Sequence, residues 1–208
     1  MKPLKELIES SAAAHGHLCP GQVIGVRMAM LGCRLIGLDE PSCDEQIKKL
    51  IVFVEMDRCA ADAISHVTGV KLGRRSLKFM DYGIMASTFV NLETNTAFRV
   101  VSTEESRDMT AVYAPEISGK HRRQFQAYKR MPDSVLFRVQ RVQVELNACD
   151  LPGPTRRRVY CSRCGQVVRD SREVVSSGNV LCMPCTGRAY FTDARDIELA
   201  DTAVQDSF

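Results

Sequence analysis

Apolar residues near the N-terminus recur at helical spacing. Leu4, Leu7 and Ile8 share one face of a predicted first helix. After a short polar loop, Pro20 begins a longer helix, because proline lacks the N–H that has no partner at the first helical position. Gly37 suits the end of this helix, since glycine readily adopts the left-handed conformation of a C-terminal cap. The chain therefore opens with two predicted helices.

The second predicted helix carries a stripe of small residues. Gly21, Gly25 and Ala29 recur every four positions, and such a stripe allows another backbone to approach closely. Gln22 and Arg27 interrupt the apolar run, so a membrane-dimer motif is not favoured. We expect a soluble helix that packs against a sheet or against a second protomer.

Strand patterns follow in the middle of the chain. Residues 50–54 are apolar on both faces and predict a buried, central strand. A helix is predicted from Cys59, with Asp57 as its cap. Residues 142–146 alternate between apolar and polar and predict a last strand with one solvent-exposed face. Further strands are predicted within residues 76–83, 87–90 and 97–101.

Composition narrows the class of protein. The 208 residues are 45% apolar and 25% charged, as in ordinary globular proteins, and a net charge of +3 is too small to indicate nucleic-acid binding by itself. The N-terminal sequence lacks the apolar core of a signal peptide, and no apolar run is long enough to span a membrane. Nine cysteines in such a chain indicate metal sites or reduced thiols in a cytoplasm.

A Leu-Pro-Gly-Pro sequence at residues 151–154 breaks any regular structure and marks a domain boundary. Residues 1–150 form the predicted core domain. Residues 151–208 form a smaller module, which ends in an acidic tail after Phe191. The length of the chain fits one good-sized domain plus such a module.

Two Cys-x-x-Cys pairs are the most specific motif of the smaller module. Cys161 and Cys164 form the first pair, Cys182 and Cys185 the second, and 17 residues separate the pairs. This spacing places four thiolates around one ion, with a hairpin between the pairs and a helix over residues 186–191. It predicts a treble-clef or zinc-ribbon module with structural zinc, and rubredoxin-like iron is the alternative. Four protein ligands close such a site to substrate.

The loop before the second helix has metal-binding chemistry. His15, His17 and Cys19 lie within five residues, and Cys19 is the predicted N-cap of the second helix. The free N–H groups and the dipole of a helix N-terminus favour a thiolate there. The loop therefore provides either a soft-metal ligand pair, His17 and Cys19, or a reactive thiol. The alternative is a capping loop with a buried cysteine.

Cys59 has the same electrostatic setting, because it lies in the first turn of its helix just after a buried strand ends. The two helix N-termini are predicted to face one pocket. His17, Cys19 and Cys59 then form a core site with an open coordination position, suited to zinc, nickel or iron rather than magnesium or calcium. We expect this second ion to bind more weakly than the four-thiolate ion. The alternative is that Cys59 is a small buried hydrophobic residue.

A basic helix is predicted over residues 120–131, which carry five lysines and arginines and no acid. A solvated helix face is the usual explanation of such a run, and an anion-binding surface is the alternative. Together with the cysteine module, this helix supports one functional hypothesis, a regulatory protein that contacts nucleic acid or RNA polymerase. No base-reading helix is evident, so this hypothesis ranks second.

Several motifs together resemble the family of the formylmethanofuran dehydrogenase E-subunit. They are HGHLCPGQVIGVRMA from His15, VEMDRCAADAISHVTG from Val54 and DYG at residues 81–83. The resemblance covers about residues 10–150, and an appended cysteine module also occurs in that family. The module is similar, too, to the zinc fingers of stringent-response proteins that bind RNA polymerase.

The resemblance implies an α+β core domain, an intertwined homodimer and a C-terminal treble-clef zinc finger. By position, His17 and Cys19 match the family's HGHxCPG loop, and Cys59 matches the cysteine that opens the second motif. Two positions depart from the family pattern: Val70 stands where members often have cysteine, and Ile84 stands where they have lysine. Any mechanism that needs those two groups does not carry over.

The first functional hypothesis is therefore a metal-binding accessory or redox protein of the E-subunit type. Family membership implies a link to the enzyme complex that fixes carbon dioxide onto methanofuran. The molybdenum or tungsten pterin chemistry of that complex belongs to other subunits, and this sequence assigns neither a substrate nor a reaction.

Overall fold

The structure, a computed structural model, describes residues 1–197. It divides into two compact units, the first Met1–Gly153 and the second beginning at Pro154. Residues 198–208 of the predicted acidic tail lie outside the described residues. None of the helices in the described part of the chain is both long and apolar enough to cross a membrane.

The first unit is an α+β domain, as the sequence predicts. Its sheet has the strand order β2-β1-β3-β4-β5. The strands β1 and β2 are parallel, and the other neighbouring strands are antiparallel. The helices are α1 Leu4–His15, α2 Pro20–Leu35, α3 Cys59–Thr68, α4 Glu105–Asp108, α5 Thr110–Tyr113, α6 Lys120–Arg130 and α7 Asp133–Leu136. The strands are β1 Leu50–Val54, β2 Leu77–Phe79, β3 Ala86–Asn91, β4 Thr96–Ser102 and β5 Phe137–Arg141.

The main core lies between the helices and one face of the sheet. Val52 of β1 is fully buried there, beside its β3 partner Phe89. The second face has a smaller cluster around Ile51 and Val90. The predicted burial of β1 on both faces is therefore confirmed, and β1 is an interior strand with a partner on each side.

The small-residue stripe of α2 packs inside the same chain, against α3. A Cβ atom added at Gly25 would lie 2.5 Å from the carbonyl oxygen of Ala60, and one at Gly32 would lie 2.2 Å from the ring of Phe89. Only glycine allows these two contacts, because real Cβ atoms do not approach other atoms so closely. Gly25 of the stripe thus packs on a helix, whereas Gly32 of the same helix packs on the sheet. The expected packing of this helix on a sheet is therefore confirmed, and the stripe no longer argues for a dimer.

Of the helix ends predicted from the sequence, the end of α2 is confirmed and the cap of α3 is not. The N–H of Leu38 bonds the carbonyl of Cys33 at 2.9 Å, and Gly37 has φ 72°, which confirms Gly37 as the C-terminal glycine of α2. The predicted cap of α3 by Asp57 is wrong. Arg58 holds the N-cap position, and no side chain caps the helix.

The strand predicted at residues 142–146 is also wrong. The strand β5 ends at Arg141, and the N–H of Val142 makes one further bond to the carbonyl of Ala97. Because β4 begins at Thr96, only that one residue of β4 remains opposite the chain beyond Val142, too few to continue a strand. Residues 142–146 instead place Val142, Val144 and Leu146 against the cluster on the second face of the sheet.

The second unit consists of two short hairpins. Its strands are β6 Arg158–Tyr160 with β7 Val167–Arg169, and β8 Val174–Ser176 with β9 Asn179–Leu181. The helix predicted over residues 186–191 is wrong within the described residues. A 3-10 turn at Pro184–Thr186 stands there, and it ends at Gly187, which has the left-handed φ of 84°. Without the helix of a treble clef, the module is of the zinc-ribbon type.

Candidate metal centres

Four side chains of the first unit converge on one point. The ligand atoms of His15, His17, Cys19 and Cys59 all lie within 4.8 Å of one another. The structure thus brings together the three residues that the sequence predicts for the core site. It adds His15, which the sequence places in the loop but does not single out as a ligand.

The helix ends of the first unit position these four residues. His15 is the last residue of α1, and Gly16 caps that helix with φ 92°. Cys19 is the extended N-cap of α2, as predicted, and Cys59 is the first residue of α3. The site is therefore built where one helix ends and two helices begin.

A buried glutamine ties the three helices together behind the site. Gln22 of α2 donates from Nε2 to the carbonyl oxygen of Cys59 at 2.7 Å, and its Oε1 accepts from the hydroxyl of Ser11 on α1. Both polar side chains are fully buried. Gly21 lies against the thiols, because a Cβ there would be 3.1 Å from the Cβ of Cys59. The helix termini that carry the ligands are thus fixed relative to one another.

One nitrogen of His15 has no hydrogen-bond partner. Its Nδ1 lies 2.9 Å from Oδ2 of Asp62, whereas its buried Nε2 has no partner among the described residues. A buried polar atom without a partner is costly, and an imidazole that binds a metal with one nitrogen typically donates the N–H of the other to a carboxylate, as here. Asp62 is three residues after Cys59, so both side chains lie on one face of α3. Sequence reasoning missed Asp62, although this spacing was available.

The donor set fits a transition-metal ion. Two imidazoles and two thiols are the ligands of a tetrahedral zinc-type site, and hard cations such as magnesium prefer oxygen. Tetrahedral bonds of this kind separate ligand atoms by about 3.3 to 3.8 Å. Because the four ligand atoms all lie within 4.8 Å of one another, they reach that spacing with shifts of at most about 1.5 Å. The rings of His15 and His17 lie 4.5 Å apart, and His17 is exposed. The side chain of His17 therefore has room to move toward the other ligand atoms.

The thiol of Cys59 does not have the lowered pKa that its helix position predicts. Burial, followed by the hydrogen bond and charge of the Cys19 thiol, raises the pKa of Cys59 above its ordinary value. Burial disfavours the charged thiolate most, and repulsion from the neighbouring sulfur adds to this effect. A cation between the two sulfurs would remove this repulsion.

Two adjoining cavities open beside the core site. The larger has a volume of about 600 Å³ and is lined by both thiol residues, and the smaller has a volume of about 420 Å³. They share Cys19, Pro20 and His121. The predicted pocket shared by the two helix N-termini is therefore present.

The four cysteines of the second unit form the other candidate centre. The sulfur atoms of Cys161, Cys164, Cys182 and Cys185 lie within 4.8 Å of one another. The Cys164 and Cys182 sulfurs are 3.7 Å apart, close to the distance of about 3.8 Å between two thiolates on one tetrahedral zinc. The spacing of the two pairs therefore predicted their convergence correctly.

Backbone N–H groups around Cys161 and Cys164 stabilise the negative charge of a thiolate that a cation would bind. Gly165, with φ 72°, donates its N–H to the carbonyl of Cys161 at 2.9 Å and forms a knuckle turn after the first pair. Backbone N–H groups of Cys182 and Cys164 lower the pKa of Cys161 to about 6. Burial and the neighbouring thiols raise the pKa of Cys185 to about 12. The fold thus stabilises a thiolate at Cys161 and disfavours one at Cys185, where a bound cation would offset the penalty.

The basic helix α6 uses several of its cations within the chain. Arg123 donates to the carbonyl of Ile117 at 2.9 Å, Arg130 pairs with Glu116, and Lys129 lies 5.0 Å from the centre of the Phe125 ring. The remaining two cations, Lys120 and Arg122, are exposed. A continuous basic face for an extended polyanion is therefore not favoured.

The two positions that depart from the resemblance lie outside the ligand set. Val70 is fully buried in the main core. Ile84 is 42% exposed and follows Gly83, which lines the larger cavity. Neither substitution removes one of the four converging ligands.

Comparison with known proteins agrees with this architecture. A protein of Archaeoglobus fulgidus described as a probable S-adenosyl-L-methionine-binding protein is 26% identical over 212 residues, which is 93% of this chain and 56% of that protein. The chain thus spans about half the length of this curated relative. The crystal structure of a tungsten formylmethanofuran dehydrogenase E-subunit (FmdE)-like protein from Syntrophus aciditrophicus matches with a TM-score of 0.58. It has 20% identity over 90% of this chain and 94% of that one, so it supports the fold alone.

The family match covers the part of the chain that builds the core site. The FmdE family, described as "Molybdenum formylmethanofuran dehydrogenase operon", matches residues 14–142. That range is more than half of the 208 residues and includes all four converging ligands. The chain therefore belongs to the FmdE family.

Proposed function

We propose that this chain is a metal-binding accessory protein in which His15, His17, Cys19 and Cys59 hold one transition-metal ion. The observation that carries the proposal is the buried Nε2 of His15, which has no partner among the described residues and belongs to a group of four suitable ligand atoms. When bound there, zinc, nickel or iron would supply Lewis-acid or redox chemistry. The partly exposed position of the site supports reversible loading.

The residues around the ligands prepare the site. Asp62 holds the ring of His15 and fixes which nitrogen faces the ligand group, and Gln22 holds the backbone of Cys59. With His15 included, four protein side chains can close the coordination sphere, whereas the sequence predicted three ligands and an open position. Exposed His17 is the ligand that leaves most readily to admit a substrate or a second protein.

In the second unit, we propose a structural zinc ion on the four cysteines. The sulfur separation of 3.7 Å and the closed four-thiolate set support this ion. Rubredoxin-like iron remains the alternative, because iron takes the same ligands.

The biological setting follows from family membership. We propose that the chain serves an enzyme complex of one-carbon metabolism in the cytoplasm and acts there as a homodimer. The many cysteines in ligand clusters support a reducing compartment. The dimer rests on the family alone, now that the glycine stripe packs internally, and sedimentation at the monomer mass of 23.2 kDa would contradict it.

A regulatory protein that contacts nucleic acid or RNA polymerase is the second candidate. It is favoured by two exposed aromatic residues in the arginine-rich second unit, Tyr160 at 72% and Tyr190 at 99% exposure. Exposed aromatic rings among cations stack on single-stranded bases. Salt-dependent binding to single-stranded RNA or DNA, lost on Tyr190→Ala, would support this candidate.

Cobalt substitution tests the first proposal. Co²⁺ bound to thiolates absorbs visibly, and the spectrum distinguishes two-sulfur from four-sulfur coordination. We expect two spectral components in the wild type and only the four-sulfur component in Cys59→Ala. His66→Ala is the matched control, because His66 bonds Ser10 and lies outside the ligand group. A wild-type spectrum that already lacks the two-sulfur component would contradict the proposal.

A further inference from the structure

The larger cavity beside the core site has a polar wall that the metal ligands do not use. Gln124 of α6 lines this cavity and is only 9% exposed. Its amide makes no hydrogen bond with the described residues. Because this amide is accessible from the cavity and unpaired within the described residues, it can donate to or accept from a ligand with hydrogen-bonding groups.

A positioned guanidinium lies in the same wall. Arg107 pairs with Glu104 at 3.2 Å and lies close enough to the almost fully buried Tyr128 to counter part of the rise that burial causes in the pKa of its hydroxyl. Arginine has five N–H donors, so these two partners leave donors for a third. The guanidinium is thus held by its neighbours in a position to bind an anion.

The charges that line the larger cavity are mainly positive. Arg58 and Arg107 line it, with Glu104 as the one acid among its lining residues, and His121 adds an imidazole that can donate a hydrogen bond. Apolar contact comes from Ile24 and Met85. A volume of about 600 Å³ lies within the range of small-molecule sites, and the apolar walls favour an organic molecule over an inorganic ion.

We propose that this cavity binds a small organic anion, whose carboxylate or phosphate pairs with Arg107 and His121 while Gln124 bonds a second polar group. This inference rests on the proposed function only in placing the anion beside the core ion, because Cys19 and Cys59 line the same cavity. The site then holds an ion and an organic acid together, as a protein does when it acts on a metal-bound ligand or transfers a metal with a co-ligand.

Isothermal titration of the full chain with succinate and with glycerol 3-phosphate tests the proposal and separates a carboxylate from a phosphate ligand. We expect one of the two anions to bind at one site per chain. Arg107→Gln and Gln124→Met should each weaken binding by about tenfold or more, because each removes a positioned donor. Arg107 is more than half exposed, so its variant retains the fold. Arg74→Gln is the matched control, since Arg74 is exposed and lies outside this cavity.

Two results would overturn the proposal: neither anion binds at about 10 mM, or Arg107→Gln binds as tightly as Arg74→Gln. The titrations are run on metal-loaded and metal-free protein, with metal content measured in each sample. Absence of a core ion from the loaded wild type contradicts the proposed function. Absence of anion binding from both forms contradicts the cavity proposal alone.

Discussion

The Nδ1 atom of His15 lies 2.9 Å from a carboxylate oxygen of Asp62, and the other ring nitrogen is buried without a partner among the described residues. The two residues belong to different helices and are 47 positions apart in sequence. A carboxylate that holds one nitrogen of an imidazole fixes the orientation of the other nitrogen. The pair therefore points to His15 as a metal ligand and to Asp62 as the residue that positions it.

The first prediction concerns Asp62. Asp62→Asn should lower the affinity of the core site for zinc by about 10- to 100-fold, because the histidine loses its carboxylate partner. Competition with a chromogenic chelator measures the affinity, and the second-unit ion serves as the internal reference. The exposed Asp57 provides the control variant Asp57→Asn. Equal zinc affinity in the two variants would remove Asp62 from the site.

The second prediction concerns the cysteine module. Cys164→Ser should release the module's ion and unfold residues 159–190, because in so small a unit the metal-binding energy is also the folding energy. The first unit should keep its cooperative thermal transition. Two-dimensional NMR spectra distinguish the two units by residue. Loss of the core signals as well would show that the units do not fold independently.

The third prediction tests the packing of α2 on α3. Gly25→Ala should destabilise the protein by about 1–3 kcal/mol, because the new methyl group would lie 2.5 Å from the carbonyl oxygen of Ala60. Gly73→Ala is the control, since nothing lies within 4 Å of a Cβ there. Urea denaturation measures both variants. A Gly25→Ala variant as stable as Gly73→Ala would contradict the close contact.

The fourth prediction concerns the ion pair on the second face of the sheet. Arg99 donates to both carboxylate oxygens of Glu55 at 2.7 and 2.6 Å, and Glu55 is only 4% exposed. Arg99→Met should cost about 3–5 kcal/mol, because it leaves a buried charge without its partner. The double variant Glu55→Leu with Arg99→Met should recover much of that loss. If the double variant is the less stable one, the penalty does not arise from the unpaired charge.

Local patterns predicted the parts of the fold that depend on local sequence. The strand at residues 50–54 and the start and end of α2 follow from apolar runs, Pro20 and Gly37. Predictions of secondary structure were wrong where more than the local apolar pattern determines the structure of a segment. The segment at residues 142–146 has strand periodicity, but β4 begins too late in the chain to pair with it. The helix expected after Cys185 is replaced by a turn that ends at a left-handed glycine.

The candidate site, too, was predicted correctly in some respects and wrongly in others. The HGHLC loop and the position of Cys59 indicated ligand chemistry, because residue type and helix termini are visible in the sequence. The role of His15 as a ligand was not predicted from the sequence. Its Nε2 lacks a partner because the side chain is buried against other helices, and this burial is not visible in the sequence. The pKa of Cys59 was predicted with the wrong sign, because the position of a residue in a helix does not reveal the burial that raises this pKa most.

Native mass spectrometry of protein purified without added metal, and then loaded with zinc, decides whether the core site binds an ion. We expect two ions per chain in the wild type, with the core ion removed first by mild chelation. His15→Ala, His17→Ala and Cys59→Ala should each carry one ion, and His66→Ala should carry two. One ion per chain in the wild type and in every variant would contradict the claim that His15, His17, Cys19 and Cys59 form a metal site.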